Sequence, residues 1–172
     1  KHDIEKSVAN LGTSLTNRQI LILNQFFKNI IICFDGDESG YKAALRAAEN
    51  SIIELKPEKK ISFLFLPDNH DPDSFTNKHG KEYFNEFSKK NSISIHDFIF
   101  EHYSKQLDDN PSSRAIFEKR LRSRSLTIKD EYIKKYVLEF FLSKISELTP
   151  NINSKNYKFI PKLTKSLKKT QN

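Results

Sequence analysis

The stretch IIICFDGDESG, residues 30–40, decides the fold. Ile30, Ile31, Ile32, Cys33 and Phe34 form a short, unbroken apolar run. That pattern predicts a strand buried on both faces. It stops at two aspartates, Asp35 and Asp37, with Gly36 between them and Gly40 just beyond. From Gly40 the period changes. Tyr41, Ala44, Leu45, Ala48, Ile52 and Leu55 recur on one helical face. KPEKK, 56–60, ends that helix, and ISFLFLP, 61–67, predicts a second buried strand closed by Pro67.

Upstream, Thr16 followed by Gln19 is a capping-box signature, and Ile20, Leu23 and Phe27 continue at helical spacing. SVANL, 7–11, predicts a short strand leading into the turn LGTS. Strands alternating with helices predict an α/β fold, a parallel sheet flanked by helices. Ligands of such sheets bind beyond the carboxyl ends of the strands. Two acidic loops fall there, DGDESG at 35–40 and DNHDPD at 68–73.

After Asp73 the signals are helical. Short helices are expected over 73–90, then others over 93–107, 112–124 and 129–148. The expected division is a partial α/β domain over 1–92, a helical subdomain over 93–150 and a basic tail or truncated linker over 151–172.

The bulk numbers narrow the class. A chain of 172 residues can bury a core without staples. Its apolar runs are too short to span a bilayer, and the polar start KHDIEKS has no signal-peptide shape. One cysteine offers no disulfide framework and reads as a small buried hydrophobe. The histidines lack zinc spacing. There is no methionine, so the chain is expected to be a piece of a longer one. The net charge is +7, and the six lysines of residues 151–172, with no acid among them, carry nearly all of it. Such a tail is either a solvated end or an attractor of phosphate backbones.

A tight Asp-Gly-Asp beyond a strand end can aim both carboxylates at one point. Close carboxylates repel unless a cation or proton lies between them. Magnesium suits such a pair, because it takes one or two protein carboxylates plus substrate phosphates. Asp71 and Asp73, held by Pro72, could add to it. The plainer reading makes these aspartates turn residues or helix caps. A calcium EF-hand is excluded: its twelfth position would be Arg46, and a strand stands where a helix is needed. An Asp-x-Asp phosphatase fits locally, but Glu38, Ser39 and Gly40 follow the pair instead of that family's Thr or Val and a hydrophobic residue.

FDGDESGYKAALRA resembles the Asp-x-Asp motif of the Toprim family. LGTSLT resembles the Gly-Thr turn that precedes it, and FLPDNHDPDSF resembles the downstream acidic loop of bacterial replicative DNA primases of the DnaG type. The three stand in order at compatible spacing, and a weaker similarity continues to about residue 150. The resemblance implies a Toprim-type sheet, lacking its first strand, followed by a small helical subdomain. It implies DNA-templated synthesis of short RNA primers by two-metal nucleotidyl transfer. Asp35 and Asp37 would hold Mg2+, with Mn2+ as a substitute, and Asp71 and Asp73 would be auxiliary ligands. Gly12, Thr13, Gly36 and Gly40 would shape the loops. Arg46, Arg120, Arg122 and Arg124 are the expected phosphate or nucleic-acid contacts.

The family's metal-binding Glu-Gly pair, and its zinc-binding domain, are expected before Lys1. Residues 1–172 alone are therefore expected to bind metal weakly and make no primer. The implied partners are a single-stranded DNA template, ribonucleoside triphosphates and an RNA–DNA hybrid. For the complete enzyme they include a replicative helicase and a single-strand-binding protein. A bacterial cytoplasmic, nucleoid-associated monomer without membrane contact is expected. Two alternatives stay open: another Toprim enzyme, a topoisomerase or nuclease, and a non-catalytic module that holds nucleic acid through Arg114, Lys119, Arg120, Arg122, Arg124 and the lysine tail.

Overall fold

The computed structural model describes residues 7–8, 15–67 and 70–148. Gly12, Thr13, the LGTS turn, most of the SVANL segment and the basic tail lie outside them. Ser7 and Val8 carry no regular structure.

Helix α1, Asn17–Phe26, starts where the capping signature puts it. The Thr16 hydroxyl accepts from the Gln19 amide, and the Gln19 side chain returns to the Thr16 backbone. Strand β1 is Asn29–Phe34, α2 is Glu38–Ser51 with a 3-10 turn at Ile52–Glu54, and β2 is Lys60–Phe65. β1 and β2 pair in parallel, Ile30 beside Ile61 and Phe34 beside Phe65. Their carboxyl ends therefore finish level, and the two acidic loops leave from one edge.

Two short helices follow, α3 at Pro72–His79 and α4 at Lys81–Asn91. Gly80 separates them at φ 85°, ψ 164°, a conformation essentially confined to glycine. The helix expected from residue 93 is corrected at its start. Ile93–Ser94 form β3, antiparallel to β2, and α5, Ile95–Ser104, is capped by the Ser94 hydroxyl on the Asp97 amide. The reason is a contact that local pattern does not encode: Phe63 of β2 lies opposite Ile93. The sheet order among the described residues is β1-β2-β3. α6, Pro111–Leu126, and α7, Glu131–Leu148, complete the chain.

Side chains alternate across the sheet and divide the core. Ile30, Ile61 and Phe63 face α2 and α5. That core continues without a break through Phe98, Phe117 and Leu121 to Phe141. Leu64 and Leu66 face the other way and are covered by Phe75, Phe84 and Phe87 of α3 and α4, with Cys33 packed alongside. The expectation of a strand buried on both faces holds for β2 and is corrected for β1, where Ile30 is buried but Ile31 is 46% exposed, because the side chains of α3 and α4 cover Leu64 and Leu66 of β2. The expected division near residue 92 falls between α4 and β3, and the larger core crosses it.

Long-range ion pairs tie the helices to this core. Arg124 of α6 pairs with Glu49 of α2 and donates to the Tyr103 hydroxyl at 2.9 Å. Lys129 pairs with Glu54, which is 5% exposed. Removing one partner of such a pair strands a charge away from water.

Candidate functional site

The site is built at the edge where β1 and β2 end. Asp35 is the first residue past β1. Asp37 is the N-cap of α2, its Oδ1 accepting from the Gly40 amide at 2.6 Å. Across the edge, Asp71 caps α3 in the same way, its Oδ1 accepting from the Ser74 amide at 2.6 Å, with Pro72 opening the helix. Asp73 lies in the first turn of α3 and accepts from Asn77. In both loops one oxygen of the capping carboxylate is tied to backbone.

The electrostatics tie the two loops together. Partial burial, then the charges of Asp37 and Asp71, push the Asp35 carboxyl above its ordinary range. The bonds from the Ser74 amide and hydroxyl hold Asp71 below it. Asp35 thus feels carboxylates from both loops, a concentration of negative charge that a hard cation would relieve. The donor set, all carboxylate oxygen, fits magnesium or manganese. Among the described residues no three carboxylate, histidine or cysteine side chains gather closely enough to enclose a metal alone.

Gly40 has a steric reason. A Cβ there would lie 2.2 Å from the Asp35 carbonyl oxygen and 3.0 Å from its carbonyl carbon. The first turn of α2 therefore presses directly on the Asp35 backbone, and only glycine allows it. Gly36 is half-buried in the bend, and its φ is not positive. Beneath the loop, burial and the Asp35 charge push the Cys33 thiol up to about 12. Cys33 should therefore resist iodoacetamide at pH 8 in the folded chain and react only after denaturation. Rapid labelling of the native chain, read by intact mass, would contradict the burial of Cys33 beneath the loop.

The basic residues divide. Arg46 is exposed on α2. Arg122 pairs with Glu118, Arg124 is turned into Glu49 and Tyr103, and Arg120 donates to Gln106. Sequence reading missed one contact near the site. Tyr41, one turn into α2, holds His102 Nδ1 at 3.0 Å and accepts from Lys105 Nζ at 3.2 Å. These partners lie more than sixty residues apart, and no spacing rule joins them.

A parallel strand pair ending in acidic loops, each loop running into a capped helix, defines a Toprim-like domain. The Toprim-like family model matches residues 1–76. The chain is similar to DnaG-type DNA primases. It is 40% identical over 105 residues to the DNA primase of Pasteurella multocida strain Pm70, an alignment spanning 61% of this chain and 18% of that protein. The structure titled the DnaG catalytic core matches 86% of this chain and 47% of its own, at TM-score 0.79 and 31% identity. A DnaG primase catalytic domain bound to single-stranded DNA matches 84% of this chain and 46% of its own, at TM-score 0.78 and 30% identity. The chain thus spans less than a fifth of the length of that curated primase.

Proposed function

We propose that this chain is part of a primase catalytic centre that joins ribonucleotides on a single-stranded DNA template. The observation that carries the reading is the meeting of two acidic loops at one sheet edge, where Asp35 feels both Asp37 and Asp71. Asp35 and Asp37 would hold Mg2+, with Mn2+ as a substitute, and Asp71 and Asp73 would support it through water or directly. Bound there, the metal supplies charge stabilisation for the attacking 3′-oxygen and the departing pyrophosphate.

The chain's own residues supply position. β1 fixes Asp35 on a rigid edge, and the cap bonds of Asp37 and Asp71 fix each carboxylate before any ligand arrives. The relative bound to single-stranded DNA supports a DNA template over a topoisomerase or nuclease substrate. Ribonucleoside triphosphates and an RNA–DNA hybrid follow as the other ligands. Within a whole primase the segment would work beside a replicative helicase and a single-strand-binding protein in the bacterial cytoplasm. No described helix is long and apolar enough to cross a membrane.

The test uses a primase whose corresponding segment is replaced by residues 15–148. RNA synthesis on single-stranded DNA should need Mg2+ or Mn2+. It should fall by at least about a hundredfold in Asp35→Ala, since even a supporting partner of a ligand is worth about 10–100-fold. An unchanged rate in Asp35→Ala would sink the assignment.

A further inference from the structure

The two caps at the acidic edge are not built alike. Asp37 is held by the Gly40 amide and by the close approach of α2 to its loop. Asp71 takes the same kind of bond from the Ser74 amide, and a line of side chains stands behind it. Ser74 and Lys78 are four residues apart on one face of α3, and His70 precedes Ser74 by the same step. The Ser74 hydroxyl lies 3.1 Å from the Asp71 amide nitrogen, 3.1 Å from the Asp71 carbonyl oxygen and 3.0 Å from His70 Nδ1. Lys78 reaches back along the helix, and its Nζ is 3.4 Å from His70 Nε2. The His70 ring stands edge-on to Phe75, at 5.9 Å between centroids and 72° between planes, and Phe75 is 1% exposed.

Counting hydrogens fixes the role of each group. An ammonium only donates, so Nε2 accepts from Lys78 and carries no hydrogen. The ring hydrogen of the neutral imidazole is then on Nδ1, which donates to the Ser74 oxygen. That oxygen also accepts from the Asp71 amide, so both of its acceptor positions are used. Its single hydrogen goes to the Asp71 carbonyl. The line from Lys78 through His70 and Ser74 to Asp71 thus closes with every donor matched to an acceptor. The other tautomer breaks it twice. Nε2–H would face the ammonium, and the Ser74 hydroxyl would have to choose between Nδ1 and the Asp71 carbonyl.

We propose that His70 is a positioning residue, held by Lys78 as the Nδ1–H tautomer, that braces the Asp71 cap through Ser74. It touches neither metal nor substrate and acts only through the serine. Ser74 supplies the bonds that hold the Asp71 carboxyl below its ordinary range, so a fixed Ser74 gives Asp71 a fixed aim as well as its charge. The buried Phe75 sets the plane of the imidazole, so the brace is anchored in the core beneath α3. The bearing of His70 on metal binding rests on the reading of Asp71 as a supporting ligand. The tautomer itself does not.

The full 172-residue chain is labelled with 15N at histidine and read by long-range 15N–1H correlation at pH 8 in EDTA. His70 is the signal that H70N removes. It should show a hydrogen on Nδ1 and a bare Nε2, although the free amino acid favours the reverse. K78M removes the donor to Nε2, and the signal should then move toward the Nε2–H form. An Nε2–H form in the wild type, or a signal that K78M leaves in place, would overturn the brace. Mn2+ affinity is read on the same chains by electron paramagnetic resonance. H70A should bind about tenfold more weakly, the lower end of what an outer partner of a metal ligand is worth. H70N can donate from the place of Nδ1 and should recover to within about threefold of wild type. H79A removes another imidazole packed on Phe75 and should stay within about twofold. Wild-type affinity in H70A, no recovery in H70N, or an equal loss in H79A would each overturn the proposal. A wild-type chain that binds no Mn2+ fails the metal reading, while an Nδ1–H form that K78M shifts still upholds the brace.

Discussion

Gly40→Ala will lower the melting temperature of the chain and weaken its divalent-metal binding together. The added methyl would sit 2.2 Å from the Asp35 carbonyl oxygen, with the Asp35 carbonyl carbon at 3.0 Å and nitrogen at 3.1 Å. All three are backbone atoms, so no flexible side chain can swing aside. Either α2 backs away from the loop or Asp35 moves. Overpacking of this kind costs about 1–3 kcal/mol. At roughly 2–4 °C per kcal/mol for a chain of this size, the fall is from a few degrees to about 10 °C. Gly80→Ala separates the causes. Its Cβ would meet nothing within 4 Å, but its φ is 85°, so it should lower stability through backbone strain and leave Mn2+ binding intact. Calorimetry and Mn2+ titration of both variants check this. If Gly40→Ala melts and binds as the wild type does, the close approach of α2 to Asp35 is wrong.

Asp35→Asn has the opposite sign in the absence of metal. The wild-type carboxylate is held against Asp37 and Asp71, so its charge opposes the fold near neutral pH. Asparagine keeps the shape without the charge, and the metal-free melting temperature should rise. The pH dependence follows. A carboxyl whose folded pKa is raised takes up its proton on folding, so its share of stability grows as pH falls through that pKa. The advantage of Asp35→Asn over wild type should therefore be full at pH 7 and shrink on acidification into the carboxylate range. With Mg2+ or Mn2+ present the order reverses. The metal stabilises the wild type by binding its folded form. The variant should lose at least about tenfold in affinity, since weaker, supporting contacts already cost that much. A variant that is less stable than wild type in EDTA, or equally stabilised by Mn2+, would remove Asp35 from the site.

Much of the frame is legible in the sequence because it depends on local pattern. Thr16 and Gln19 announce α1, the apolar runs announce β1 and β2, and the helical period after Gly40 announces α2. Their parallel pairing follows from the alternation of elements. β3 is not legible, because two residues carry no period and Ile93–Ser94 become a strand only by lying against β2. The same limit hides the pairing of Arg124 with Glu49, partners 75 residues apart, and so leaves Arg124 looking like a free cation. In the site, the strand-end rule brings the acidic loops to one edge. There the plain reading of the aspartates competes with the functional one. For Asp37 and Asp71 the cap is real, and a role toward a ligand would have to be added to it.

That double duty has a thermal consequence. The first turn of a helix is where fraying begins. In this chain those turns, in α2 and α3, are also the hinges on which Asp37 and Asp71 are mounted. Warming should loosen the carboxylates while β1 and β2 are still paired, so the proposed metal binding would be lost below the melting point of the fold. If Asp37 and Asp71 both held a cation, as proposed, binding would work the other way and tie the start of α2 to the start of α3. The resting and working forms of this edge would then differ less in shape than in stiffness.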